Sequence, residues 1–166
     1  MSGAIVRTAQ TGDRSAIHAL VERAFGQALE ADLVDRLAAD GDVVLELVAE
    51  KDGGLAGHVL FSRLIIEGDG VSCAAVALAP LGVDPDSQRT GIGAALVEEA
   101  HRRLEAAGEK LSVVLGDPAY YSRFGYRRGP AEGFSSDYQC DALQALAWGV
   151  APTAGRLVYA HAFAVL

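Results

Sequence analysis

Two glycines, Gly91 and Gly93, stand where a long apolar strand pattern gives way to a helical one. The segment Val83-Asp84-Pro85-Asp86-Ser87-Gln88-Arg89-Thr90-Gly91-Ile92-Gly93-Ala94 reads as a strand end, a polar loop and a first helical turn. The first backbone N–H groups of a helix have no partner inside it, and the aligned peptide dipoles make that end locally positive. Glycine removes the Cβ atoms that would keep a phosphate away from such amides. Arg89 can add a charge-assisted contact. The chemistry implied is capture of a diphosphate. A dinucleotide fingerprint fails, because Leu96 takes its third glycine position and the loop does not follow the first strand. A Walker A loop fails too, since no Gly-Lys-Ser/Thr follows. The competing reading is that the glycines only let helix and strand approach closely.

The elements that would carry this loop are legible around it. Ile5-Val6-Arg7 reads as a short strand. Thr11-Gly12-Asp13 offers an N-cap and an early acid for a helix with Ile17, Leu20, Val21 and Phe25 on one face. Leu29, Leu33, Val34 and Leu37 mark a second helix that Gly41 closes. Val43 to Glu50, Leu55 to Glu67 and Val71 to Val83 read as successive strands, with Asp52-Gly53 a hairpin signal. The glycine loop feeds a helix to about Ala107, buried along Ile92, Leu96, Ala100 and Leu104, with Glu98/Arg102 and Glu99/Arg103 pairs on its solvated face. Leu111 to Leu115 reads as a fully buried strand, parallel to the strand before the loop by a right-handed crossover. Asp117-Pro118 opens a short helix that stops at Phe124-Gly125. Beyond Gly129 the pattern fades until Val158 to Leu166, whose alternation predicts a last strand. His18 and His101 are expected on helix surfaces.

Composition bounds what such a fold can do. The chain has 166 residues, 51% hydrophobic and 22% charged. One α+β domain spanning 1–166 is expected. A formal net charge of −8 argues against broad nucleic-acid or anionic-membrane binding, which need a cationic face. Cys73 and Cys140 make no disulfide framework, and no signal-peptide order opens the chain. The longest apolar stretch, Ala74 to Val83, is broken by Pro80 and Gly82, well short of the ~20 residues of a spanning helix. A soluble cytoplasmic protein is expected. No His, Cys, Asp or Glu cluster has metal-ligand spacing, so no metal is expected.

Gln88-Arg89-Thr90-Gly91-Ile92-Gly93 resembles the Q/R-x-x-G-x-G/A signature of the GNAT superfamily of acetyl-CoA-dependent N-acetyltransferases. Leu81-Gly82-Val83-Asp84-Pro85 is similar to the strand end found before it. Tyr120-Tyr121-Ser122-Arg123-Phe124-Gly125-Tyr126 resembles the family's second motif, in the right order after one helix and one strand. Within the family, the stretch from Gly116 to Tyr126 looks most like an uncharacterised bacterial branch. The resemblance implies a central, mixed, mostly antiparallel sheet of about seven strands, splayed between two parallel strands in the middle and flanked by about four helices.

It also implies acetyl-CoA as acetyl donor. Gln88 and the backbone N–H groups of Arg89, Thr90, Gly91, Ile92, Gly93 and Ala94 would hold its pyrophosphate. Main-chain groups of Leu81 and Val83 would pair with the pantetheine arm like a missing strand. An amide on the Leu78–Leu81 segment would polarise the thioester carbonyl; Pro80, lacking an N–H, cannot be that donor and is expected at a bulge. Tyr121 is the expected general acid, since a phenol titrating near ~10 is protonated at neutral pH. Its competing reading is a packed aromatic, and Tyr120 is expected to pack. For the general base His58, Glu46, His161 and ordered water stay open, His58 reading more readily as a satisfied core histidine. No nucleophile-and-base pair recommends itself, so direct transfer in a ternary complex is favoured. The acceptor would be the primary amine of a small molecule or peptide, held by the first two helices and the segment from Ala131 to Ala154, where Trp148 and Tyr138 are available. A homodimer stays open, and a non-catalytic acyl-CoA sensor is the alternative function.

Overall fold

The structure, a computed structural model, describes residues 3–165. Its axis is β3 (Gly54–Gly68), apolar in both phases and buried on both faces through its middle. β2 (Val43–Lys51) runs antiparallel to it with Val48 opposite His58. The turn between them holds Asp52 and Gly53 at φ 53° and 81°, the doubly positive conformation that Asp-Gly favours. β1 (Ile5–Thr8) adds to the far edge of β2, and β4 (Val71–Val83) lies antiparallel along the other edge of β3. α3 (Ile92–Ala106) then crosses over, so that β5 (Leu111–Leu115) pairs parallel with β4. β7 (Leu143–Ala147) closes that side antiparallel to β5.

Strand alternation sends side chains of the sheet to two layers. Leu47, Ala49, Val59 and Phe61 meet Ile92, Leu96, Val97, Ala100 and Leu104 of α3. Val48 and Leu60 meet α1 (Arg14–Phe25) and α2 (Leu29–Asp40) through Ile17, Val21, Leu33, Val34 and Leu37. Each Val, Leu, Ile or Phe among them, once buried, contributes about 1.5–3 kcal/mol. The fourth helix, α4 (Pro118–Tyr121), starts with Asp117 accepting a hydrogen bond from the Ala119 N–H at 2.9 Å. The mixed α+β architecture is therefore as expected.

Differences fall where side chains overrode the local pattern. The sheet has eight strands, because β6 (Phe134–Ser135) and β8 (Gly155–Val158) pair with each other, and β8 takes the edge of β3 that β2 leaves. The last strand expected from Val158 to Leu166 is instead the end of β8 followed by a 3₁₀ turn over His161–Val165; Leu166 lies outside the described residues. Tyr159 and Phe163, four residues apart, pack ring against ring at 5.5 Å, a spacing that favours a helical turn over an alternating strand. Residues Thr11–Asp13 form a 3₁₀ turn rather than capping α1. Asp13 accepts both Arg7 guanidinium nitrogens, at 2.7 and 2.9 Å, and the Gln10 N–H at 2.7 Å. That bidentate bond holds its carboxyl down at about 2. Arg102 pairs with Glu99 rather than Glu98, and Leu115 is half-exposed rather than fully buried.

His101, expected on the surface, turns inward. Its Nε2 lies 2.9 Å from the Tyr126 hydroxyl, which lies 2.7 Å from Ser112 Oγ, and its ring packs on those of Phe61, Tyr126 and Trp148. Tyr126 is fully buried, and burial raises its phenol well above the ordinary value. Burial also lowers the His101 imidazole from 6.5 to about 4. The unfolded chain takes up this proton near pH ~6.5, whereas the folded chain resists it, so stability is intact above that pH and declines toward pH 4. Between pH 7 and pH 5 His101 should account for about 1–2 kcal/mol of lost stability. Thermal melts should show a shallower pH dependence for His101→Phe than for the parent; parallel curves would place His101 outside the titration.

Candidate active site

The glycine loop leaves its amides free. The N–H groups of residues 89–94 find no acceptor among the described residues, and no side chain caps α3. Gly91 sits at φ 88°, a left-handed conformation that costs a side chain about 1 kcal/mol, with open space where its Cβ would be. Gly93 meets a further need that its spacing did not reveal. A Cβ there would come within 2.6 Å of the Tyr120 hydroxyl, so Gly93 gives room to Tyr120. Loop side chains shape the turn: Thr90 Oγ1 donates to the Ser87 carbonyl at 2.5 Å and Gln88 Nε2 to the Val83 carbonyl at 3.3 Å. Arg89 is exposed in a left-handed conformation, φ 65°, with no partner among the described residues. Asp84, beneath the loop, takes the Asp86 N–H and the Arg23 guanidinium, which hold its carboxyl below the ordinary value.

Behind the loop the two parallel strands part. β4 and β5 pair only from Val76 opposite Ser112 to Leu78 opposite Val114. Opposite Val59–Phe61, β4 carries one extra residue at Ala79-Pro80, a bulge where Pro80 was expected to mark one, and the Ala79–Pro80 peptide is cis. The Asp84 N–H donates to the Ala56 carbonyl on the β3 side at 2.8 Å. Alternation therefore turns the main-chain groups of Val83 and Leu81 to the opposite, open edge.

A cavity of about 280 Å³ opens between the parted strands, lined by Leu78, Ala79, Leu81, Val114 and Tyr121 on the sheet side. The Tyr121 ring is seated against Gly116, where a Cβ would come within 2.5 Å of it. Its hydroxyl makes no hydrogen bond to the described residues. Burial, with Tyr120 adjoining, pushes this phenol up to about 12. Tyr120 packs as expected, against Tyr121 and Phe124 and beneath the Arg123 guanidinium.

The three base candidates lie elsewhere. His58 is fully buried in β3 and sets its Nε2 2.7 Å from Glu46, which also takes Arg14 at 2.5 Å. Burial drives Glu46 up, but these two bonds outweigh it and hold the carboxyl below its ordinary value. That cluster faces α1 and α2. His161 is exposed on the last turn. The ionic side chain that does reach the cavity is Glu30 in the first turn of α2. Sequence reasoning missed it, since an acid at a helix start reads as dipole compensation. Tyr138 lines the cavity, whereas Trp148 packs against His101. Tyr159 and Phe163, beyond the stretch expected to build the acceptor side, line it as well.

A free amide cradle, a parted pair of parallel strands and a lone phenol between them are joined in one chain segment. A family model described as an acetyltransferase (GNAT) domain matches residues 5–129. The chain belongs to the GNAT acetyltransferase family. YhbS of Escherichia coli K12, described as an uncharacterized N-acetyltransferase, is 41% identical over 115 residues, covering 69% of this chain and 68% of its own. YjhQ of the same organism, described likewise, is 38% identical over 116 residues, covering 69% and 64%. A crystal structure of YhbS in complex with CoA matches at TM-score 0.89 and 32% identity, over 97% of this chain and 92% of that one. A GNAT acetyltransferase from Brucella melitensis in complex with acetyl-CoA matches at TM-score 0.83 and 33% identity, over 98% and 99%. This GNAT protein is thereby an acyltransferase of the N-acetyltransferase class. No helix among the described residues is long and apolar enough to cross a membrane.

The Gly93–Tyr120 contact gives this GNAT protein a clean double-mutant cycle. Gly93→Ala should destabilise it by about 1–3 kcal/mol through overpacking. Tyr120→Phe removes the crowded oxygen, so the double variant carrying both Gly93→Ala and Tyr120→Phe should recover most of that loss. Denaturant unfolding reads the coupling; additive effects would separate the two residues.

Proposed function

We propose that residues 1–166 work as one domain that moves an acetyl group from acetyl-CoA directly to the primary amine of a small molecule or peptide, both substrates bound together. The amine nitrogen bonds to the acetyl carbon, the carbon–sulfur bond breaks to release the CoA thiolate, and the nitrogen's proton passes to water. The observation that carries the reading is a run of unused bonding groups on consecutive elements: the unpaired amides of residues 89–94, the β4 edge that β5 leaves after Leu78, and the unbonded Tyr121 hydroxyl in the cavity between those strands. When bound, acetyl-CoA supplies an activated acyl group as a thioester. In this reading Arg89, Thr90, Gly91, Ile92, Gly93 and Ala94 hold the diphosphate through backbone N–H groups, and Arg89 adds its free guanidinium. Gln88 holds the turn through Val83. Leu81 and Val83 present main-chain groups to the amides of the pantetheine arm. An N–H of the Leu78–Leu81 segment other than Pro80 faces the developing oxyanion.

Tyr121 remains protonated across the physiological range and donates a hydrogen bond to the departing sulfur. A thiol titrates near ~8.5, well below this phenol, so stabilising the thiolate through a hydrogen bond is easier than giving up the proton. A non-catalytic sensor needs no such donor, which favours turnover over the binding-only alternative. The free thiols of Cys73 and Cys140 suit a reducing cytoplasm.

Gly91→Glu places bulk and negative charge on the cradle, so CoA should no longer raise the melting temperature of that variant; normal stabilisation would overturn the loop assignment. Tyr121→Phe should keep CoA affinity while lowering kcat roughly 10²-fold. Because the phenol is raised to about 12, the parent should lose no rate to its ionisation up to pH ~10. Thiol release during turnover measures both, and an unchanged kcat in Tyr121→Phe would return the ring to packing.

A further inference from the structure

Away from the sheet, the same cavity has a wall of a different kind. It is built by Phe25, Leu29 and Leu33 of the first two helices and by Tyr138, Tyr159 and Phe163 of the last third of the chain. Tyr159 meets Tyr138 edge-on at 5.1 Å and Phe163 at 5.5 Å, giving a continuous aromatic surface. Phe25 and Leu29 stay 39% and 47% exposed, large apolar groups that folding alone leaves uncovered. Among the described residues Glu30 is the one Asp, Glu, Lys, Arg or His in the lining. Gln27 Nε2 donates to both of its oxygens, at 3.0 and 3.1 Å, fixing the carboxylate while leaving further lone pairs open. Tyr138, Tyr159 and Phe163 all lie beyond residue 129, where the family match ends.

We propose that the acceptor is a small primary amine with one compact apolar or aromatic body and no anionic group, recognised as its ammonium by Glu30 and attacking as the free amine once that ammonium has lost a proton to water. The proposal rests on the transferase reading above and names the substrate class for that site. Volume bounds the size: the whole cavity, about 280 Å³, falls just below the ~300–1,000 Å³ of small-molecule sites and must admit the acetyl end of the donor as well. Charge sets the rest. A carboxylate on the substrate would meet Glu30 and no cation. A second ammonium would lose its water against an apolar wall with no second acid to receive it. A ring, by contrast, finds edge-to-face partners in Tyr138, Tyr159 and Phe163.

The test compares phenethylamine, phenylalanine and spermidine as acceptors with saturating acetyl-CoA. Phenethylamine should exceed each of the others at least about tenfold in kcat/KM. Glu30→Gln should raise its KM about tenfold, leaving the KM for acetyl-CoA and the CoA-induced rise in melting temperature unchanged, and Glu30→Asp should recover part of the loss. Titration calorimetry of phenethylamine into the CoA-loaded protein reads the same affinity without turnover. Equal or better use of phenylalanine or spermidine, or a KM indifferent to Glu30→Gln, would overturn the proposal. So would failure of all three acceptors while CoA still stabilises the protein, an outcome that leaves the donor reading standing. A parent protein that CoA does not stabilise would instead sink both.

Discussion

The parting of β4 from β5 is the constraint on which the site depends. Up to Leu78 the two strands share a ladder, and beyond it β4 follows β3 while β5 stays with β7. The extra residue at Ala79-Pro80 lets β4 change course without losing its grip on β3. Neither strand can close the gap, because each is already committed on its other edge. Backbone groups left there need partners, since an unsatisfied buried one costs about 1–3 kcal/mol. The gap is thus a strand-shaped demand for hydrogen bonds, and Tyr121 lines the cavity that opens in it.

Polar groups inside the protein divide by the same logic into those that hold the fold and those free to act. Glu46 is committed to His58 and Arg14, and Tyr126 to His101 and Ser112. Removing one member of such a set leaves the others buried without a partner, and His58 Nδ1 and one Arg14 guanidinium nitrogen are already buried without one among the described residues. Tyr121 and Glu30 differ in kind. The first has no hydrogen-bond partner among the described residues, and the second has only the neutral amide of Gln27. Both residues line the cavity, so their remaining bonding capacity is not taken up by the fold.

How much of this was legible in the sequence follows from what encodes each part. The hairpins, the crossover and the loop over residues 83–94 rest on short-range signals, namely period-two apolar runs, Asp-Gly and paired glycines, and they stand where those signals put them. The glycine spacing located the loop but could not separate the purposes of Gly91 and Gly93, because the contact of Gly93 is Tyr120, twenty-seven residues away. His101 misled for a like reason: its helix position reads as solvated, and only the packing of Phe61, Tyr126 and Trp148 around it draws it in. The alternation after Val158 failed because Ala160, Ala162 and Ala164 fit a strand or a helical turn equally well, and the Tyr159–Phe163 contact decided between them.

The two halves of the site also differ in what they are made of. In the proposed reading the donor side consists largely of backbone: N–H groups of a helix start and the edge of a strand. The proposed acceptor side consists of side chains, on α1, α2 and the irregular segment after residue 129. Exchanging Phe25, Leu29, Tyr138 or Phe163 would alter what the pocket admits without touching a hydrogen bond of the β4–β5 ladder or an amide of the cradle. A fold divided this way can hold one donor fixed while its acceptor varies. Glu30, on α2, belongs to the side-chain half.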